Sequence, residues 1–449
     1  MKYFIFSFKE KYIIFVLLTI IIAIVPLIYL PYHDDFILMQ TGYNEYTLSN
    51  PDNIYKPKFN VLIITALILL IVLLKKYRNN LKNQLNEKEY KYLFLFLSLL
   101  LLSTINSEYK WLAIYGRPYR WEGLLAYLAY IISFLSFSLL IKSFQDISRY
   151  IKVLFTSATL IAIYGMLQLF SYDFIPRDPV RLNWKRVFAT LGNPNFAGSY
   201  IIMLLLMALL MYLHAKSKKN NVLFASLSSL FYSLMIATGT RGVWLAFMIT
   251  MSFVFLLLRD KIFINYKKVL VLLFIFLIIT ISIDFYQGGY ISNRFNSIIT
   301  DMERLSSRDE DFDRIGAKRM FIYRNSIPLL LENPLLGSGL DTFAEIFPQE
   351  LSNSRQVTDK AHSEYLQLGV TVGIPALIVY LIFLLILLKR GYKNLARENK
   401  YQQGLYFAFF AYIVQASFNI SVIPVAPVFW AIAGMNLAIN RILENGGTQ

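Results

Sequence analysis

The sequence predicts an all-α, polytopic membrane protein: about twelve transmembrane helices, with one long extracytoplasmic loop between spans 9 and 10. Three observations predict it. Hydrophobic residues make up 57% of the 449 and charged residues only 16%, with a mean hydropathy of +0.50; a soluble chain of this size carries more charge. Apolar stretches recur from end to end, at lengths near the roughly 20 residues a crossing needs. The basic residues between them are unevenly shared between alternate loops, as membrane orientation requires. Residues 1–449 therefore read as a single integral membrane domain.

Taken in order, the spans are expected near Tyr12–Leu30, Phe59–Leu74, Tyr92–Ile105, Gly123–Ile141, Val153–Tyr172, Phe196–Leu213, Val222–Ala237, Val243–Leu258, Val269–Tyr286, Tyr365–Leu388, Leu405–Ile420 and Val422–Ile439. The first has no small-residue cleavage site and reads as a retained anchor. Tyr92–Ile105 is short enough to suit an interfacial or re-entrant segment as well. Spans seven and eight come from one run, Asn220–Leu258, interrupted only by Thr238-Gly239-Thr240-Arg241-Gly242. That run is too long for one crossing and reads as two helices joined by a tight turn. Cysteine is absent, which removes disulfides, iron–sulfur clusters and thiol catalysis.

Twelve spans put both termini on one side. Of the 44 basic residues, 25 fall on that side and 19 on the other, and nine of the 19 sit in one long loop that the orientation rule does not count. The short-loop excess places both termini in the cytoplasm and the loop Gln287–Glu364 outside. The net charge of +16 is thus spread over membrane loops, which points to membrane lipids and not to nucleic acid. The two faces also differ in kind: 19 Lys and 6 Arg inside, 6 Lys and 13 Arg outside. Guanidinium stays charged and grips phosphate or carboxylate in a planar, bidentate way. An outward-facing site for a phosphorylated or acidic ligand is expected.

Four segments carry candidate chemistry. The outer loop Asp173–Asn195 holds Arg177, Arg181, Lys185 and Arg186 and ends in Gly192-Asn193-Pro194-Asn195. Asn193 reads as an N-cap and Pro194 as a first-turn proline, so a helix N-terminus faces the arginines and favours an anion. At the hairpin tip Gly239 and Gly242 permit the turn, and Thr238 and Thr240 can cap freed backbone groups; Arg241 either meets an anionic ligand or snorkels to headgroups. In the long loop, Asp301–Arg319 reads as a solvated helix or coil. Met320–Leu331 reads as an amphipathic helix with Phe321, Ile327, Leu330 and Leu331 on its apolar face and Arg319 and Arg324 near its start; Pro334 to Gly339 breaks it. His362, one of three histidines, precedes the tenth span, where it can take a proton from a hydroxyl near neutral pH.

These segments resemble the O-antigen ligase and polymerase family, polytopic bacterial proteins that move glycans from undecaprenyl diphosphate. The resemblance covers roughly residues 186–376. It rests on Gly192–Asn195, on Thr240–Gly242, on Arg319, Tyr323 and Arg324 leading to Asn333–Gly339, and on His362, Ser363 and Gly373, in the family's order. The chain departs from the pattern at Ala376 and Glu364, neither a proposed catalytic group. The resemblance implies an undecaprenyl-diphosphate-linked glycan donor held by Arg186, Arg241, Arg319 and Arg324. It implies His362 as base or positioning group for a lipid, glycan or protein hydroxyl acceptor, with Arg241 and Arg319 also catalytic. Asn193, Pro194, Asn195, Gly242, Gly337 and Gly339 become structural motif positions. Inverting displacement at the anomeric carbon needs charge stabilisation of the leaving group more than proton donation, so neither metal nor other cofactor is expected.

Two other readings stay open. A metal-dependent glycosyltransferase would use His33-Asp34-Asp35 or Asp309-Glu310-Asp311-x-Asp313 to hold a divalent ion against a diphosphate. A lipid-linked glycan flippase would show internal repeats and mid-membrane charges; the sequence shows no repeat, and Asp284 is the clear acid within the spans.

Overall fold

The structure, a computed structural model, describes residues 8–30, 52–77, 85–175, 185–306, 310–352 and 357–446. These are all helix, turn and loop, without a strand among the described residues. The helices are α1 (Phe8–Thr19, prolonged by a π-helical turn Ile20–Ile24 to Leu27), α2 (Tyr55–Tyr77), α3 (Lys88–Asn106), the short α4 (Lys110–Tyr115), α5 (Leu124–Leu140), α6 (Phe144–Leu169), α7 (Pro194–His214), α8 (Lys218–Ala237) and α9 (Arg241–Ile264). After them come α10 (Tyr266–Tyr286), α11 (Tyr290–Ser306), α12 (Ile315–Glu332), the short α13 (Phe343–Ile346), α14 (Glu364–Val372), α15 (Ile374–Lys393), α16 (Lys400–Ala416) and α17 (Ala426–Glu444).

Each expected span falls on helix, the tenth on two, and nine helices among the described residues are long and apolar enough to cross a membrane. The chain is a polytopic membrane protein. Helices α3, α5 and α16 fall outside the nine. Helix α5 has 17 residues, α16 has 17 and carries Gln402, Gln403 and Gln415, and α3 begins with Lys88, Glu89 and Lys91. Those charged residues lengthen α3 beyond its apolar stretch, so it is a 19-residue helix and not a short interfacial piece.

Helices that are apolar all round belong in the interior. Two satisfy this: α7 and α17 form the centre of the bundle, with 94% and 89% of their apolar windows buried. Helix α10 is the opposite case, only 17% buried, so nearly all of it is left to lipid. The tenth span breaks at Gly373 into α14 and α15. Its φ of +101° and the Leu335 carbonyl oxygen, 2.3 Å from where a Cβ would stand, leave room only for glycine.

The two ends of the bundle differ. At one end Arg390 bridges Glu87, Glu89 and Glu444, and Arg441 also meets Glu87. Lys76 interacts there with Glu10 and Lys142, so the first and last helices start and finish at this end. The other end carries the long loop. Helix α11 turns back from α10 through Gln287, Gly288 and Gly289, and its Ser292 donates to the Asp284 carboxylate of α10.

The expected amphipathic helix is present as α12 but presents a different face. Helical dihedrals begin only at Arg319, because Gly316, Ala317 and Lys318 are left-handed. From Arg319 on, the buried positions are Ile322 and Ser326, and Ile322 joins Phe343, Phe347, Ala361 and Val370 in a small core under the loop. Phe321 and Leu330 pack at its edge, whereas Ile327 and Leu331 are exposed. Asp301–Arg319, expected as a solvated helix or coil, begins as the last turns of α11, where Asp301 meets Arg241.

Candidate functional site at the loop end

The site is built on the loop 185–193 and the turn between α8 and α9. Lys58, fully buried in α2, donates to the carbonyls of Pro26 and Thr190 at 2.8 Å each. Gln168 accepts from the Ala189 N–H (2.8 Å), and the Val187 N–H reaches the Ala237 carbonyl (3.2 Å). These bonds press the loop against the hairpin and fix Arg186 beside the tip. Its Nε donates to the Thr238 carbonyl at 2.7 Å, and its Nη2 to Asn195 Oδ1 at 2.8 Å and Thr240 Oγ1 at 2.9 Å.

Asn193 does cap α7: its Oδ1 accepts from the Asn195 N–H at 2.8 Å, with Pro194 as the first helical residue. Thus α7 and α9 both begin here, and both helix N-termini, with their partial positive charge, face the arginines. Gly239 is at φ +58°. The two tip threonines donate to carbonyls, Thr238 to Met235 and Thr240 to Pro194.

Three further guanidinium groups close on the tip. Arg294 of α11 donates to the Gly239 carbonyl through Nε and Nη2 (3.2 and 3.1 Å). Arg241 donates to Asp301 Oδ2 at 2.7 Å and Ser297 Oγ at 3.0 Å, both on α11. Arg319 lies over Gly242, so that a Cβ there would come within 3.5 Å of its Nη1. Among the described residues Arg186, Arg294 and Arg319 meet no carboxylate, and their charges oppose one another. Burial and then Arg294 depress the proton affinity of Arg186, to about 10, with Arg319 and Arg241 acting in the same direction against Tyr290. Arg319 is lowered by burial, with Arg241 and Arg294 adding to this and Tyr323 opposing. Unpaired, half-buried guanidinium groups held together in this way are costly, and they mark a place where an anion would be stabilised.

His362 stands beside this cluster. Its backbone is left-handed, φ +53°, a conformation that costs a non-glycine residue about 1–2 kcal/mol. The Tyr323 hydroxyl contacts both its carbonyl (3.2 Å) and that of Ser417 (3.3 Å). Burial, then the neighbouring Arg319, hold the imidazole down to about 4; Asp359 works the other way, and Arg120 and Lys360 add to the lowering. The ring is therefore neutral at pH 7 and able to accept a hydrogen bond or a proton.

The remaining expected residues are placed as follows. Arg324 is not brought to the cluster by any contact: it is 62% exposed and pairs with Asp313 at 2.9 Å. Five residues separate it from Arg319, roughly 140° around a helix. Gly337 and Gly339 are structural. Their φ values are +60° and +112°, added Cβ atoms would strike the Thr371 backbone at 2.4 Å and Ser107 Oγ at 2.2 Å, and the Gly339 N–H donates to the Thr371 carbonyl. Arg177, Arg181, His33, Asp34, Asp35 and Asp309 lie outside the described residues.

Sequence reasoning missed Arg294 and its neighbour Asp301, which nothing in the long loop singled out. It also missed a buried ionisable cluster behind His362. Arg120 pairs with Asp359 (2.7 Å) and Lys360 with Asp341 (2.5 Å), the latter pair almost fully buried. Glu122 accepts from Tyr130 (2.5 Å) and Ser421 (3.1 Å). Both oxygens of Glu364 accept tyrosine hydroxyls, from Tyr380 and Tyr412, so this carboxylate turns away from the imidazole. Glu122, Asp341, Lys360, Glu364 and Gln367 line a small cavity with room for about one water. The signal that was available is the acid Glu122 directly ahead of an apolar run, a costly choice near a membrane.

Fold and site together define a class: a polytopic helical membrane protein with an arginine cluster and a neutral histidine at the end that carries its long loop. Residues 223–381 match the family model described as O-antigen ligase, so this region of the chain is similar to that family. The matched region contains Arg241, Arg294, Arg319 and His362; Arg186 and the Asn193 cap precede it. No curated protein matches the chain closely enough to count as a relative.

Proposed function

We propose that the chain transfers or polymerises glycan from an undecaprenyl-diphosphate carrier onto an acceptor hydroxyl at the outer face of the plasma membrane. O-antigen ligase-like glycan transfer is the activity that this similarity supports. The observation that supports the finer reading is the convergence of Arg186, Arg241, Arg294 and Arg319 from four separate segments, three of them without a carboxylate, next to His362.

The chemistry follows from the charges. The acceptor oxygen bonds to the anomeric carbon while the bond from that carbon to the diphosphate breaks. The electron pair leaves with the diphosphate, and the arginines stabilise the charge that develops. Fixed donors aimed at a developing charge contribute roughly 3–4 kcal/mol each when removed singly. The acceptor proton passes to His362. In the free protein Arg319 suppresses the basicity of that imidazole; a bound diphosphate would offset Arg319 and raise it. The donor would thus strengthen the base at the moment it is needed. The arginines supply the charge that a divalent ion would otherwise supply, which favours a metal-independent, inverting displacement.

Reconstitution with a defined polyprenyl-diphosphate oligosaccharide and several hydroxyl acceptors tests this. Arg241→Ala, Arg319→Ala and His362→Ala should each lower transfer about 100-fold or more, and chelator should leave the native rate unchanged. Native rates in all three variants, or loss of activity with chelator, would overturn the reading.

A further inference from the structure

Helix α11 presents three faces, and one of them is turned the wrong way for a water-soluble loop. At roughly 100° per residue, Tyr290, Arg294, Ser297 and Asp301 share a side. All four meet the hairpin tip: Tyr290 lies against Gly239, Arg294 bonds the Gly239 carbonyl, and Ser297 and Asp301 hold Arg241. Asn293, Asn296 and Thr300 share a second, exposed polar side. Between these lies an apolar side whose outer residues Phe295, Ile299 and Met302 are 49%, 48% and 65% exposed. The inner residues of that apolar side, Ile291 and Ile298, pack on the bundle core, while its outer residues form an exposed apolar stripe that no part of the described protein covers.

What covers that face is indicated by its surroundings. Helix α10 is mostly lipid-exposed, with Ile281 at 59% and Phe285 at 89% exposure near its end. Ser292 joins α11 to α10 at Asp284, the residue directly before Phe285. The apolar side of α11 therefore continues the lipid-facing band of α10 around the corner of the bundle. A helix with one polar side in water and one apolar side in lipid is the form of an interfacial helix.

We propose that α11 lies in the headgroup–acyl boundary of the leaflet at the loop end, with Phe295, Ile299 and Met302 in lipid, and so holds the arginine cluster at the depth of a lipid-borne diphosphate. The partner is the bilayer itself. The second half of the proposal rests on the function proposed above; the first half does not. Because Arg294 and Asp301 leave the same helix toward Gly239 and Arg241, lipid contact on one side fixes the depth of the guanidinium groups on the other.

The absence of cysteine makes the test direct. Single cysteines at 295, 299 and 302, and at 293, 296 and 300, are labelled with a nitroxide in the full-length protein. The protein is placed in phosphatidylcholine–phosphatidylglycerol nanodiscs, and collision with oxygen is compared with collision with a water-soluble nickel chelate. Oxygen should dominate at 295, 299 and 302, and nickel at 293, 296 and 300. Nickel dominance at all six positions, or oxygen dominance at all six, would overturn the placement. For the second half, Phe295→Glu with Ile299→Glu should raise KM for the lipid-borne donor at least about fivefold and leave kcat within about twofold; an unchanged KM would overturn it. If the native protein transfers no glycan, the functional proposal fails, and the nitroxide pattern still decides where α11 lies.

Discussion

His362 is held neutral by its neighbours, and this fixes a sign. Its proton affinity is lowered to about 4, first by burial and then by Arg319. A group depressed in this way loses charge earlier as pH rises, so the free protein should show no inflection near 6.5 in the acid limb of kcat/KM, which should fall off only toward pH 4. On the proposed function a donor diphosphate would offset Arg319, so the acid limb of kcat should lie at higher pH than that of kcat/KM. Coincident limbs near 6.5 would contradict this. With three histidines in the chain, a titration by isotope-edited NMR can read His362 alone. Added pyrophosphate should move its midpoint upward. The arginines separate equally sharply. Arg319→Ala should cost transfer about 100-fold or more, whereas Arg324→Ala, which removes an exposed pair with Asp313, should change it less than about threefold. The sequence made both Arg319 and Arg324 candidate diphosphate ligands because both sit in one motif. Their spacing of five already turns them to different sides of a helix. Arg294 was illegible for the opposite reason: it belongs to no motif, and only the return of α11 to the tip gives it a role.

At the scale of elements, the hairpin between α8 and α9 was readable because its apolar run had only one break. The course of the long loop was not, since its order comes from contacts far away in the chain. The Asn333–Gly339 segment is an instance. The sequence marks it as a helix break, but its glycines are required by packing against Thr371 and Ser107. Gly337→Ala must meet the Thr371 backbone at 2.4 Å while holding φ at +60°, so it should destabilise the protein by about 2 kcal/mol or more. A lower melting temperature in detergent, with the native donor KM among the molecules that stay folded, is the expected result. The buried joint where the start of α5 meets α14 and the α16–α17 turn gives a pH dependence. Burial raises the Glu122 carboxyl to about 7, against a smaller opposing effect of Lys360. The unfolded chain loses that proton near 4.5, so the stability Glu122 contributes is complete below about 4.5 and is lost as pH rises toward 7. Glu122→Gln keeps an acceptor for Tyr130 and Ser421. It should raise the melting temperature at pH 8 and change it little at pH 5; equal effects at both would exclude this titration.

Across the whole molecule, arginine is used in two ways, paired with carboxylates or held against other arginines, and the loop end shows both, since Arg120 and Arg241 there meet Asp359 and Asp301. The Lys-to-Arg contrast between alternate loops pointed to the end where Arg186, Arg294 and Arg319 gather, yet arginines also sit at the other. There Arg390 and Arg441 are closed into carboxylates, Glu87, Glu89 and Glu444, that tie α3, α15 and α17 together. At the loop end Arg186, Arg294 and Arg319 are held against one another without such partners. A paired, partly buried arginine supports the fold, and removing it leaves carboxylates unpaired at a cost of about 3–5 kcal/mol. An unpaired arginine among like charges opposes the fold, and removing it relieves repulsion. The two substitutions should therefore have opposite signatures. Arg390→Ala should lower the melting temperature by several degrees while the folded fraction transfers glycan at close to the native rate. Arg319→Ala should abolish transfer and leave the melting temperature unchanged or higher, in line with sites that trade stability for activity. Raised salt should narrow the stability difference between the native chain and Arg319→Ala, because screening weakens the repulsion that the substitution removes. If Arg319→Ala instead melted several degrees lower at every salt concentration, Arg319 would be a structural residue, and the cluster would lose its standing as an anion site.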